Sequence, residues 1–199
     1  MFLRARWMPT TLQRASWRSR RTDRCHLFAV IAALLLGACN AAGAAQPYAF
    51  PDTASVSEQL DPVIRQLFEA IESLTDYRAG AALPAVFQLP QAQIEALVCD
   101  EPCNVIAAFL PGRGIVLAEH LDPARELRDR AALLHELVHA LQQGHAKFAG
   151  MPPCERERAK EQEAYAIQNA YLAQAGSAAR VVFYDGDFDC GAQREENTQ

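Results

Sequence analysis

His135, Glu136 and His139 fall within five consecutive residues, His-Glu-Leu-Val-His. On an α-helix, positions four apart lie one above the other. His135 and His139 would then present two imidazole nitrogens to one metal ion, with Glu136 beside them as a base. The flanks suit a helix held inside a fold. Leu133 and Leu134 precede, Leu137 and Val138 fill the middle, and Ala140 and Leu141 follow, with no charge or proline among them.

A hydrolytic zinc site takes three protein ligands and leaves a fourth position for water, so a third residue is needed. His145 lies six residues after His139, but the first glycine is Gly144, and a helix continuing past Gln142 points His145 away. The later stretch Glu161-Gln162-Glu163-Ala164-Tyr165-Ala166-Ile167-Gln168 is the other source. At helical spacing Glu161, Tyr165 and Gln168 share one polar face, whereas Glu163 falls in line with Ile167 and Ala170. Glu161 is the preferred ligand, with Glu163 and His145 as alternatives.

The segment 135–139 reads HExxH, the arrangement of zinc-dependent hydrolases. Glu161 with Ala164 and Tyr165 resembles the gluzincin pattern, in which a glutamate on a following helix completes the site and the frame reads ExxA plus a polar residue. Thermolysin-like enzymes place that ligand directly before the alanine, which here is Glu163. The spacing of His145 resembles the metzincin pattern HExxHxxGxxH, but Gln142 stands where that pattern needs glycine. His135 to Gly144, His-Glu-Leu-Val-His-Ala-Leu-Gln-Gln-Gly, also resembles the HExxHxxQQ segment of bacterial zincin-like domains attached to contractile injection systems. The resemblance covers residues 130–170. It implies a zincin-like metallopeptidase with one Zn2+ on His135, His139 and Glu161, Glu136 as general base, and a peptide or protein substrate. Tyr165 departs from the many families with an acid there that orients a ligand histidine. Tyr165, Tyr184 and His145 are candidate donors to an oxyanion, and Gly114 to Glu119 a candidate edge for pairing with a peptide. The competing reading is a catalytically inactive zinc-binding envelope lipoprotein with a scaffolding role. An intact Glu136 favours the peptidase, because a structural site has no use for a base and prefers cysteine and histidine ligands.

The elements that must position these residues are legible from periodicity. Asp61-Pro62 reads as a cap followed by proline at the first helical position. Val63, Ile64, Leu67, Phe68, Ile71 and Leu74 then mark a helix to about Tyr77. A strand is predicted over 84–89 and a helix over 91–98. Apolar runs at 105–110 and 114–119 flank Pro-Gly-Arg-Gly, a hairpin signal. Asp122-Pro123 opens the helix bearing the histidines, whose buried side is Leu127, Ala131, Leu134, Leu137, Val138 and Leu141, with Gly144 as its stop. A long helix is predicted over 155–175, then a strand-like segment over 181–184. The fold class is α+β, the metal helix packed with the glutamate-bearing helix and a short antiparallel sheet. Asp185-Gly186-Asp187-Phe188-Asp189 resembles the start of a calcium loop but lacks the later glutamate, so it reads as a solvated turn.

Residues 1–38 carry seven arginines and one aspartate, and an apolar run from Leu27 to Leu36. This describes a secretory signal, because a membrane span needs about 20 apolar residues. Met8 is a second candidate start. Leu36-Gly37-Ala38-Cys39 resembles a lipobox, in which Cys39 would be acylated; plain cleavage within 41–45 is the alternative. The expected organisation is a lipoprotein-type signal over 1–38, a linker over 39–54, the zincin-like domain over 55–190 and a disordered tail over 191–199. Such a protein would face the periplasm from the outer membrane or be secreted, meeting membrane only through Cys39. Of 19 basic and 24 acidic residues, 12 and 23 remain beyond residue 38, a net charge near −11. That charge argues against nucleic acid or anionic membrane surfaces as partners. Cys99, Cys103, Cys154 and Cys190 remain besides Cys39, and in an exported chain they read as two disulfides, with 99–103 and 154–190 the favoured pairing.

Overall fold

The apolar stripes of the sequence become four helices and a small three-stranded sheet in the computed structural model, which describes residues 58–99, 103–185, 188 and 190. The expected signal, linker and tail, together with Cys39, lie outside the described residues. No helix among the described residues is long and apolar enough to cross a membrane.

Helix α1 (Asp61–Leu74) follows a 3-10 turn, Glu58–Leu60. Asp61 does not cap it as predicted: Leu60 holds the cap position in a helical conformation, because the preceding turn already supplies helical geometry. Thr75 ends the helix three residues early. Its hydroxyl donates to the Ile71 carbonyl and accepts from the Tyr77 amide, which diverts the chain. Strand β1 (Val86–Leu89), helix α2 (Gln91–Val98), and strands β2 (Ala107–Leu110) and β3 (Gly114–Ala118) follow.

The sheet order is β1-β3-β2, with β1 parallel and β2 antiparallel to β3. The expectation of an antiparallel sheet is thus corrected to a mixed one. A tight turn makes β2 and β3 neighbours, and β3, with Ile115 to Ala118 fully buried, takes the middle. Helix α2 carries the chain from β1 to the far side of that position. Gly114 allows the close approach of β1 and β3: a Cβ there would lie 2.3 Å from the Ala85 carbonyl oxygen, and its φ of +128° suits glycine.

Helix α3 (Leu127–Gln142) carries the histidines. It starts later than Asp122-Pro123 suggested, because Asp122 organises a separate turn. The Asp122 carbonyl accepts from the Glu126 amide, and its own amide donates to the Asp129 carboxylate. Every residue from Ala131 to Val138 is buried, so α3 has no solvent stripe in its middle, and the predicted one-sided face understates its burial. The sheet, α1 and α4 (Pro153–Gln174) pack around it. Beyond α3 the chain turns at Gly144 (φ +75°) and passes through a 3-10 turn, Ala146–Phe148.

The segment 181–184 forms no strand. Asn169 of α4 replaces a neighbouring strand by donating to the Val181 carbonyl and accepting from its amide, both at 2.8 Å. Asp185 pairs with Arg158, and Cys190 bonds to Cys154, so the segment after α4 is tied back along that helix at three points. The other disulfide is Cys99–Cys103.

Candidate metal centre

Residues 135 and 139 are one turn apart on α3, and Glu161 stands opposite them on α4. His135 Nε2 lies 3.0 Å from His139 Nε2 and 3.4 Å from Glu161 Oε2; His139 Nε2 lies 3.3 Å from Glu161 Oε1. A tetrahedral ion bound at about 2.0–2.1 Å separates its ligand atoms by about 3.3–3.4 Å. The three side chains form a group able to hold a metal ion.

Their outer partners fix which nitrogen carries the proton. His135 Nδ1 meets Gln168 Oε1 at 3.1 Å, and His139 Nδ1 meets Gln142 Oε1 at 2.9 Å. An amide oxygen only accepts, so each Nδ1 donates and each Nε2 keeps its lone pair. The sense of the Gln142 amide is set independently, since its nitrogen donates to the Lys160 carbonyl and to Glu163 Oε2, both at 3.0 Å. Two imidazole lone pairs and a carboxylate therefore converge on one point, an arrangement that repels itself without a cation.

Without an ion, the burial of these groups and their mutual charges pull their proton affinities in different directions. Burial works to lower His139, but the Glu161 and Glu136 carboxylates outweigh it, and the imidazole is raised. Burial lowers His135, assisted by the charge of His139, and prevails over Glu161. Burial also works to raise Glu161, but bonds to both imidazoles prevail and hold it at about 2.

Glu136 points to the sheet. Its Oε2 accepts from the Phe109 amide of β2 at 2.7 Å, and its Oε1 is buried without a protein partner. Burial first of all pushes the carboxyl up to about 8. Glu136 and His135 line a small pocket with Ile106, Ala107, Ala132, Tyr165 and Gln168. The Tyr165 and His135 rings meet in a T-shaped arrangement, with centroids 4.6 Å apart.

Of the alternative ligands, neither reaches the donor group. Glu163 lies two residues, about 200° of helix, beyond Glu161. It accepts instead from Tyr77 and Gln142 and pairs with Lys147. His145 follows the turn at Gly144, and its ring meets that of Tyr77. Tyr184 is exposed and outside the pocket lining. The proposed edge at 114–119 is corrected as well: β3 is paired on both sides, and β2 is the edge strand beside the pocket. Gln142 was missed in the sequence, though its place three residues after His139 put it on the right face. No local signal pointed to Phe109. Compared with known proteins, the chain matches no family model, no curated protein and no solved structure.

Proposed function

We propose that this protein is a zinc-dependent peptidase of the zincin-like, gluzincin type, exported to the cell envelope. The observation that carries the reading is the convergence of His135, His139 and Glu161, with the unpartnered Oε1 of Glu136 beside them. Bound at those three ligands, zinc would polarise the scissile carbonyl, lower the pKa of a water to about 7, and favour ionised Glu136.

The protein's own groups do the rest. Phe109 holds one oxygen of Glu136 and leaves the other for the proton of the attacking water. Glu136 then delivers that proton to the leaving amine. Gln142 and Gln168 keep both imidazoles oriented. A substrate strand adding to the edge of β2 would run beside the pocket, because Ile106 and Ala107 form part of its lining. The two disulfides suit an oxidising compartment, and the basic and apolar start of the chain suits export, with Cys39 as the candidate lipid anchor.

The test compares the purified domain with Glu136→Gln for metal content and cleavage of a peptide library. We expect about one zinc in both and a loss of about 100- to 10,000-fold in turnover in the variant. Equal turnover removes Glu136 from the chemistry, and absence of zinc from both removes the peptidase reading. Zinc without turnover in the parent supports the scaffolding alternative.

A further inference from the structure

Glu163 is the most connected carboxylate near the centre that the chemistry above does not use. Its Oε2 accepts from the Tyr77 hydroxyl at 2.6 Å and from Gln142 Nε2 at 3.0 Å. Its Oε1 pairs with Lys147. It thus joins the segment after α1, the end of α3 and the turn at Ala146–Phe148 to α4. Gln142 is 1 % exposed and has no spare group: two amide protons go to Lys160 and Glu163, and the oxygen goes to His139 Nδ1. Metal-ligating histidines commonly donate their other N–H directly to a carboxylate. Here an amide stands between the two.

We infer that Glu163 is a positioning residue for the metal site, the carboxylate of a relay Glu163–Gln142–His139. The inference rests on the metal-site reading. The negative charge of Glu163 polarises the Gln142 amide, whose oxygen becomes a stronger acceptor for His139 Nδ1–H. That strengthens the Nε2 lone pair aimed at the ion and holds the ring in one tautomer. Tyr77 and Lys147 keep the carboxylate in place from its other sides. Burial and the neighbouring Glu163 keep the Tyr77 hydroxyl protonated well above the usual phenol range, so it stays a donor.

The test is a double-mutant cycle on zinc affinity, read by competition with a fluorescent chelator at pH 7. It compares the parent, Glu163→Ala, Gln142→Leu and the double variant. Removing an outer partner of a metal ligand costs about 10- to 100-fold in affinity, and we expect Glu163→Ala to fall near the lower end. Because Glu163 acts through Gln142, Glu163→Ala should weaken zinc by less than about twofold in the Gln142→Leu background. Glu163→Gln, which keeps an acceptor without the charge, should fall between parent and Glu163→Ala. Melting of the metal-free variants separates a fold defect from an affinity defect. If Glu163→Ala does not fold, Glu163→Gln takes its place in the cycle. The nitrogen-15 shifts of His139 in metal-free protein, followed to a pH at which the imidazole is neutral, give a readout that needs no zinc: Nδ1–H should dominate in the parent and lose ground in Glu163→Gln. Equal affinity losses in both backgrounds, or an unchanged tautomer, overturn the relay. A parent that binds no zinc overturns the metal reading itself, and the relay with it.

Discussion

Replacing Glu136 with glutamine should stabilise the metal-free domain at alkaline pH but not at acid pH. Burial above all, and the charge of Glu161 after it, raise this carboxyl from 4.5 to about 8, while His139 and Phe109 pull the other way. A carboxyl raised by folding holds its proton more tightly in the folded chain. As pH rises past 4.5, the unfolded chain releases the proton first, and stability falls until the folded group also ionises near 8. At about 1.36 kcal/mol per pH unit, the gap between those values is worth roughly 4–5 kcal/mol, about 3.5 of it between pH 5 and pH 8. The amide keeps an acceptor for the Phe109 N–H but puts an NH2 group where a buried carboxyl oxygen has no protein partner, at about 1–3 kcal/mol independent of pH. Relative to the parent, Glu136→Gln should therefore be slightly less stable at pH 5 and about 1–3 kcal/mol more stable at pH 8. Urea unfolding in the presence of chelator, followed by far-ultraviolet circular dichroism at four pH values, measures the difference. Parallel stability-versus-pH curves for the two proteins would refute the view that folding confines this carboxylate in a water-poor space.

Other expectations concern the ligand set and the sheet. His135→Ala, His139→Ala and Glu161→Ala should each reduce zinc from about one per chain to a small fraction after dialysis, whereas Glu163→Ala should retain it at saturating zinc; metal analysis decides. Gly114→Ala should cost at least about 3 kcal/mol in chemical denaturation, because its Cβ would collide with the Ala85 carbonyl at a backbone conformation few side chains adopt. A loss below about 0.5 kcal/mol would show that β1 and β3 separate easily there.

The centre was largely legible because its parts obey helix geometry. His135 and His139 needed only a four-residue repeat, and Glu161 emerged from Glu163 because it shares a stripe with Tyr165 and Gln168. The four cysteines paired as expected. What escaped the sequence depends on contacts between distant segments. Phe109 meets Glu136 across 27 positions, and Gln142 meets Glu163 across 21. The middle position of β3 follows from a competition among strands that apolar runs alone do not rank. Segment 181–184 has strand-like residues, but Asn169, a side chain, takes the place of a second backbone. Asp122 and Asp61 carry the signature of helix starts, yet neighbouring turns moved both boundaries.

Eight consecutive enclosed residues on α3 leave that helix no freedom to roll about its own axis. The imidazoles are therefore held in place without an ion, and little ordering would remain to be done on binding one. If the site holds an ion, a cage with edges of 3.0–3.4 Å would also discriminate by size. Calcium prefers six to eight oxygens at about 2.3–2.6 Å, and to admit it α3 and α4 would have to be prised apart. The tight interior of the protein, as much as the chemistry of three side chains, would then decide which cations are turned away.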